Sequence, residues 1–367
     1  MVDLGSFFKT DEAQETLNFP NDIVPDSDQV VKVDKPVKFS TGATYVGEWK
    51  NKMRHGFGIM LWDNHKYEGR WKANKPHGKG TFSYINSGTY YVAEFDSHRV
   101  GFFEEGELYY ENGTIYKGEF RENQAGGQGY LKSPNGNEYW GELDGWTRIK
   151  GYQNWADSNM WYEGEFKDNI PDGFGVLEYK NGGRYEGYFK KNVREGFGKY
   201  WFPTGGYFEG HWKEDKQNGH GKYIYPSKDW YEGNWTDSRK NGFGTYYYAK
   251  YKYKYEGEWE MRKKKGSGTL VYDIGFSKKG TFEGKMMTDE EGKTFLVMPN
   301  GDMYDGRLDE QDRPHGEGTM IYRTNDKYTG NFSHGERSGY GLLVARNGDI
   351  YQGDWSEDDM VTGTKNF

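Results

Sequence analysis

The sequence predicts an all-β fold: an elongated single-sheet solenoid of about fourteen antiparallel β-hairpin repeats behind a short N-terminal extension. Three observations predict it. A Tyr-x-Gly-x-Trp or -Phe unit recurs about every 23 residues, which marks an architecture whose units stack on their neighbours. Within each unit the Tyr, Gly and Trp fall at alternate positions, the period of a strand with one buried face. The composition is what such repeats would produce: 54 Gly, 13 Trp, 32 Tyr and 22 Phe in 367 residues, with hydrophobic side chains at only 34%. So little aliphatic material argues against a helical bundle or a doubly wound α/β sheet. So many aromatics argue against disorder, because their burial offsets chain entropy.

Residues 1–38 precede the first unit and carry eight acidic residues against four lysines, so about half of the formal net charge of −8 lies there. This extension reads as a flexible leader or as an arm that docks and folds on a partner. In the second case a short helix over about 6–18 would present Phe7 and Phe8.

The array, residues 39–367, opens with Tyr45, Gly47 and Trp49, and the unit returns as Tyr67, Gly69, Trp71, then Tyr116, Gly118, Phe120, then Tyr162, Gly164, Phe166. It continues as Tyr185, Gly187, Phe189, as Phe208, Gly210, Trp212, as Tyr231, Gly233, Trp235 and as Tyr255, Gly257, Trp259. Tyr328, Gly330, Phe332 and Tyr351, Gly353, Trp355 complete the regular copies, and weaker ones begin at Tyr91, Tyr139, Phe282 and Tyr304. About eleven residues after most of these tyrosines comes a Gly-x-Gly, first as Gly56 and Gly58, which opens the second strand of the hairpin. Asn-Gly pairs such as Asn112 with Gly113 and Asn347 with Gly348 then mark a tight turn, since both residues accept positive φ cheaply. The glycines fall where a side chain would collide with an aromatic ring, so rings of one hairpin are expected over the bare backbone of the next. A lone hairpin cannot offset its ordering entropy, and stacking is required.

The Tyr-x-Gly-x-Trp, His-Gly-x-Gly and Asn-Gly-x-x-Tyr pattern resembles the MORN repeat (membrane occupation and recognition nexus), over residues 39–367. The resemblance implies a twisted antiparallel sheet of successive hairpins with a groove along one side. It also implies a structural scaffold for protein–protein interaction in a large cytoskeletal or axonemal complex such as a radial-spoke head, located in the cytoplasm at the cytoskeleton or cilium. Self-association is compatible with the open end strands. The family's name suggests an alternative, a membrane-tethering module that binds anionic phospholipids or phosphoinositides.

The residues themselves nominate no catalytic group, cofactor or metal. There is no Cys for a thiol nucleophile, a disulfide or a cysteine zinc site, and no apolar run reaches the length of a membrane span or signal peptide. Gly292-Lys293-Thr294 resembles the end of a phosphate-binding loop, but the leading glycine position holds Met287. Carboxylates at Glu48, Glu68, Glu163 and Glu165 recur with the repeat, as a solvated strand face would, whereas a catalytic site needs one residue in a special environment. The acidic total disfavours nucleic acid. Two features are candidate partner or lipid contacts. Strict alternation from Lys250 to Tyr255 would place Tyr251, Tyr253 and Tyr255 on one strand face and Lys250, Lys252 and Lys254 on the other. With Arg262, Lys263, Lys264 and Lys265 these lysines make a basic patch suited to anionic lipid or acidic protein tails, or else a solvated edge that resists strand pairing. In the degenerate copy at Tyr91, Phe102 and Phe103 fill the place of the Gly-x-Gly.

Overall fold

The computed structural model describes residues 24–95, 105–121 and 124–366. Phe7, Phe8, Phe102, Phe103 and the helix expected over 6–18 lie outside the described residues. Among those described, the chain forms thirty β-strands and no helix, and the sheet is antiparallel and open. It divides into two compact units, one comprising residues up to Arg184 with Tyr188–Asn192, the other Tyr185–Gly187 with residues from Val193 onward.

In the first unit the sheet begins at Val31–Lys38, eight residues before the expected start of the array, and this strand pairs with Thr44–Lys50. The repeat glycines then lie opposite one another on successive strands, with one alanine among them. Gly47, Gly58, Gly69 and Gly80 are successive cross-strand partners. The row runs on through Ala93, Gly106, Gly118 and Gly129 and through Gly141, Gly151 and Gly164 to Gly175. The result is a trench without side chains across the sheet. Tyr45 lies in it: a Cβ on Gly58 would overlap the Tyr45 ring, and the Tyr45 hydroxyl crosses the trench to donate to the Glu48 carbonyl at 3.0 Å. The ring therefore covers the glycines of its own hairpin, not of the next one as expected. Contact with the next hairpin falls to tryptophan. Tyr45 meets Trp49 and Trp71 edge-on, with ring centroids 5.1 and 5.5 Å away, and Trp71 Nε1 donates to the Gly58 carbonyl.

The two glycines of Gly-x-Gly have different reasons to exist. Gly58 is the trench residue. Gly56 takes φ +62 in a bulge whose register shift brings Trp49 opposite Arg54, and the Glu48 carboxylate accepts the Phe57 N–H there at 2.6 Å. The hairpin turns also differ from expectation. At Asn112-Gly113 only the glycine has positive φ, while Asn112 Oδ1 accepts the Thr114 N–H at 2.9 Å. Two-residue turns with both φ values positive occur instead between the two strands of a repeat, as at Asp168 (52°) and Asn169 (65°).

The second unit repeats the arrangement, with Gly198, Gly210, Gly221, Gly233, Gly244 and Gly257 as successive partners. The row passes to Gly268 and Gly280, which places Phe282 in the tryptophan slot beside Tyr255 (4.8 Å, edge-on) and not in the tyrosine slot read from the sequence. Here the array is interrupted. Gly280 faces Asp289, and an extra short strand, Thr294–Val297, lies between Met286–Asp289 and Met303–Leu308. Cross-strand partners share a face, so Phe282, Met287, Phe295, Val297 and Met303 lie on one side and Leu296 and Tyr304 on the other. The odd strand thus moves the aromatic row of the last three repeats to the opposite face. There Tyr304, Met320, Tyr328, Phe332 and Trp355 form a buried cluster.

Candidate interaction groove

In the second unit the second strands of the hairpins carry pairs of half-buried rings: Tyr200 with Phe202, Tyr223 with Tyr225, Tyr246 with Tyr248. Alternation puts both members of a pair on the trench side, and each pair touches the next. Phe202 is 5.0 Å from Tyr223, Tyr225 is 5.7 Å from Tyr246, and Tyr248 stacks on Tyr253 at 4.3 Å. Two adjoining depressions run along this ladder and share Lys240 and Arg262 in their walls.

In each of these repeats the residue five positions after the tryptophan or phenylalanine lies beside the rings of the floor. At Arg194 the guanidinium lies 4.3 Å over Trp212 and is neutralised by Asp215 at 2.9 Å. In the next repeat the position is Gln217, and in the following two it is Lys240 and Lys264. The Lys240 ammonium sits 4.4 Å from the centre of Tyr246 and 4.6 Å from that of Trp259; that of Lys264 sits 4.9 Å from Tyr255 and 5.5 Å from Tyr248. Among the described residues neither ammonium has a carboxylate or hydrogen-bond partner. Burial, and then the Arg262 charge, lowers Lys240 to about 8; burial, and then the Lys240 charge, lowers Lys264 to about 8. Cation–π attraction, of order 0.5–2 kcal/mol, partly offsets that burial.

The structure disperses the basic patch. The chain turns between Tyr248 and Tyr253, where Lys252 has φ +53 and the Tyr248 carbonyl accepts the N–H groups of Tyr251 and Lys252, so the alternation read through this stretch holds only for Lys254 between the buried Tyr253 and Tyr255. Lys250 and Lys252 are exposed in that turn, Lys254 pairs with Glu256 at 2.6 Å, and Lys265 pairs with Glu283. Arg262 is exposed in the next turn and Lys263 at the start of the strand after it, and Lys264 faces the rings. Arg262, Lys263 and Lys264 therefore share the groove, whereas the other four cations stand outside its lining. Sequence reading put Tyr223 and Tyr225 on one strand face but missed Lys240, whose signal was a basic residue five positions after Trp235, as Lys264 is after Trp259.

Among solved structures, the TCP10 domain of CPAP from Danio rerio is similar over 55% of this chain and 94% of its own, at 13% identity and a TM-score of 0.34. The SAS-4 (dCPAP) TCP domain of Drosophila melanogaster, solved with a proline-rich motif of Ana2 (dSTIL), is similar over 49% and 85%, at 14% identity and a TM-score of 0.27. At scores this low neither likeness bears on partners. The MORN repeat family model matches ten segments: 45–66, 67–89, 116–138, 162–184, 185–207, 208–230, 231–252, 255–276, 310–327 and 328–350. Such repeats build scaffolds that bind proteins or membranes. In the matched segments a tyrosine, or Phe208 in one of them, covers the trench glycines, and the chain belongs to the MORN-repeat family.

Proposed function

We propose that this chain is a non-enzymatic scaffold that holds other proteins in a cytoskeletal assembly, in a ciliary or axonemal complex of the radial-spoke-head kind. The groove of the second unit supports the protein-binding part. It offers contiguous half-buried aromatic rings beside the ammoniums of Lys240 and Lys264, which have no carboxylate partner among the described residues, a surface suited to a protein ligand with apolar and acidic side chains. Recurrence of one environment along the array supports a binding role over catalysis. The cytoskeletal setting rests on likeness to the cytoskeletal members of the family, which are also built almost wholly of repeats. The open edge at Val31–Lys38 leaves room for self-association.

Attachment to anionic phospholipid is the second reading, favoured by Lys250 and Lys252 standing exposed in a turn and Lys263 exposed at the start of a strand. Proximity labelling in cells from a tag at either end tests the first reading. Enriched cytoskeletal and ciliary neighbours are expected, and enrichment of neither would overturn it. Flotation with anionic vesicles at about 150 mM salt, abolished by charge reversal of Lys250, Lys252 and Lys263, would establish the second instead.

A further inference from the structure

The groove's geometry narrows what the scaffold binds. We propose that the groove from Tyr200 to Pro299 takes a proline-rich, acidic segment of a partner protein in the polyproline II conformation, its prolines on the tyrosine ladder and its carboxylates at Lys240, Arg262 and Lys264. This rests on the protein-scaffold reading.

The first argument is a match of periods. Successive ring pairs are one repeat apart, which is two strands, or about 9.6 Å. A polyproline II helix advances about 9.3 Å in three residues, so one laid across the strands returns the same face to each ring pair. An extended strand covers the same distance in about three residues, and its alternation turns every second anchor away. An α-helix needs about six residues for the step, which is not a whole number of turns. Polyproline II ligands also lose little entropy on docking against aromatic rings.

The second argument is charge. Lys240, Arg262, Lys263, Lys264 and Lys285 line the second depression, and its one acid, Glu283, is engaged by Lys265. Two of these ammoniums lie among rings at the floor, where the free protein bears the cost of partial desolvation and a carboxylate would relieve it. A flat bilayer meets the rim before the floor, and the strand-borne cations Lys254 and Lys265 outside the lining already have acidic partners.

Fluorescence anisotropy with the full chain and labelled 12-residue probes tests the proposal. Pro-Pro-Glu repeats should bind about tenfold more tightly than Gly-Ser-Glu repeats of equal charge or Pro-Pro-Lys repeats. Arg262→Glu, on an exposed turn, should weaken Pro-Pro-Glu binding about tenfold with an unchanged melting temperature, and Lys240→Met, which keeps the apolar stem under the rings and removes a buried charge, should weaken it about tenfold with a melting temperature at neutral pH no lower than the wild type's. Equal binding of Gly-Ser-Glu, indifference to Arg262→Glu, or binding of phosphatidylserine vesicles alone would overturn it. Failure of every peptide while the chain still labels protein neighbours in cells would overturn this proposal and leave the scaffold reading standing; failure of both would end both.

Discussion

The indole N–H of Trp235 donates to the carbonyl of Gly221 in the preceding hairpin, 3.1 Å away. Trp212 does the same to Gly198, Trp259 to Gly244 and Trp355 to Gly341. Trp212, Trp235 and Trp259 also stand edge-on between two rings, as Trp235 does between Tyr231 at 5.1 Å and Phe208 at 5.3 Å. One residue thus satisfies a trench carbonyl and joins two hairpins. Trp235→Phe should keep the ring contacts and lose about 1 kcal/mol of stability, whereas Trp235→Ala should lose about 3–5 kcal/mol. Urea unfolding of the two variants checks the split.

Trench glycines such as Gly210 should be irreplaceable for steric and not conformational reasons. A Cβ on Gly210 would lie 2.7 Å from the His220 carbonyl and 2.8 Å from the Phe208 ring, in a backbone conformation open to any residue. Gly348, at φ +96 in a turn, has no atom within 4 Å of its Cβ position. Gly210→Val should therefore open the sheet locally, with new protease cleavage within 185–235. Gly348→Ala should cost only the left-handed backbone, about 1–2 kcal/mol, with an unchanged digest.

Stability should pass through a maximum on the alkaline side. Lys240 and Lys264 titrate near 8 in the folded chain and near 10.4 unfolded, so between those values the unfolded chain holds more protons and stability rises with pH. Burial raises Tyr116 and Tyr139 to about 12 and pushes Tyr231 up as well, so above about pH 10 the unfolded chain releases protons that the folded chain keeps, and stability falls. Denaturant midpoints measured from pH 7 to 11 should show the rise and then the fall, and the rise should shrink in Lys240→Met.

Much of this was legible because the repeat period is a physical constraint. Tyr45, Gly47 and Trp49 share a strand face in the sequence and in the fold. Which hairpin a ring covers was not legible, because Tyr45 reaches Gly58 through antiparallel register within its own hairpin. The turn at Lys250–Lys252 was hidden because Tyr-Lys alternation imitates a strand, and only the left-handed φ of Lys252 shows the reversal. Phe282 was misplaced by four residues because Lys278 stands where its tyrosine would be, and only pairing of Gly268 with Gly280 fixes the register. The groove's floor was out of reach of a linear reading: Lys240 and Tyr246 meet through strand curvature at a bulge.

The two-residue turns should matter as much as the rings. Asp215 has φ +65, and its Oδ1 accepts both the backbone N–H and the Nε–H of Arg194, each at 2.9 Å. Asp215→Ala removes the acceptor of both bonds and strains the backbone, and should cost about 2–3 kcal/mol. Asp215→Asn, which tolerates the conformation and keeps one oxygen, should cost less than about 1 kcal/mol. Thermal melts of the pair distinguish the two outcomes.

The most direct test of the account is the labelled neighbourhood of the full chain in cells, compared between the wild type and a folded Lys240→Met, Arg262→Glu variant. The account predicts enriched cytoskeletal and ciliary proteins around the wild type and loss of a defined subset around the variant. An unchanged set of neighbours, or a wild-type set with no cytoskeletal or ciliary protein in it, would contradict it.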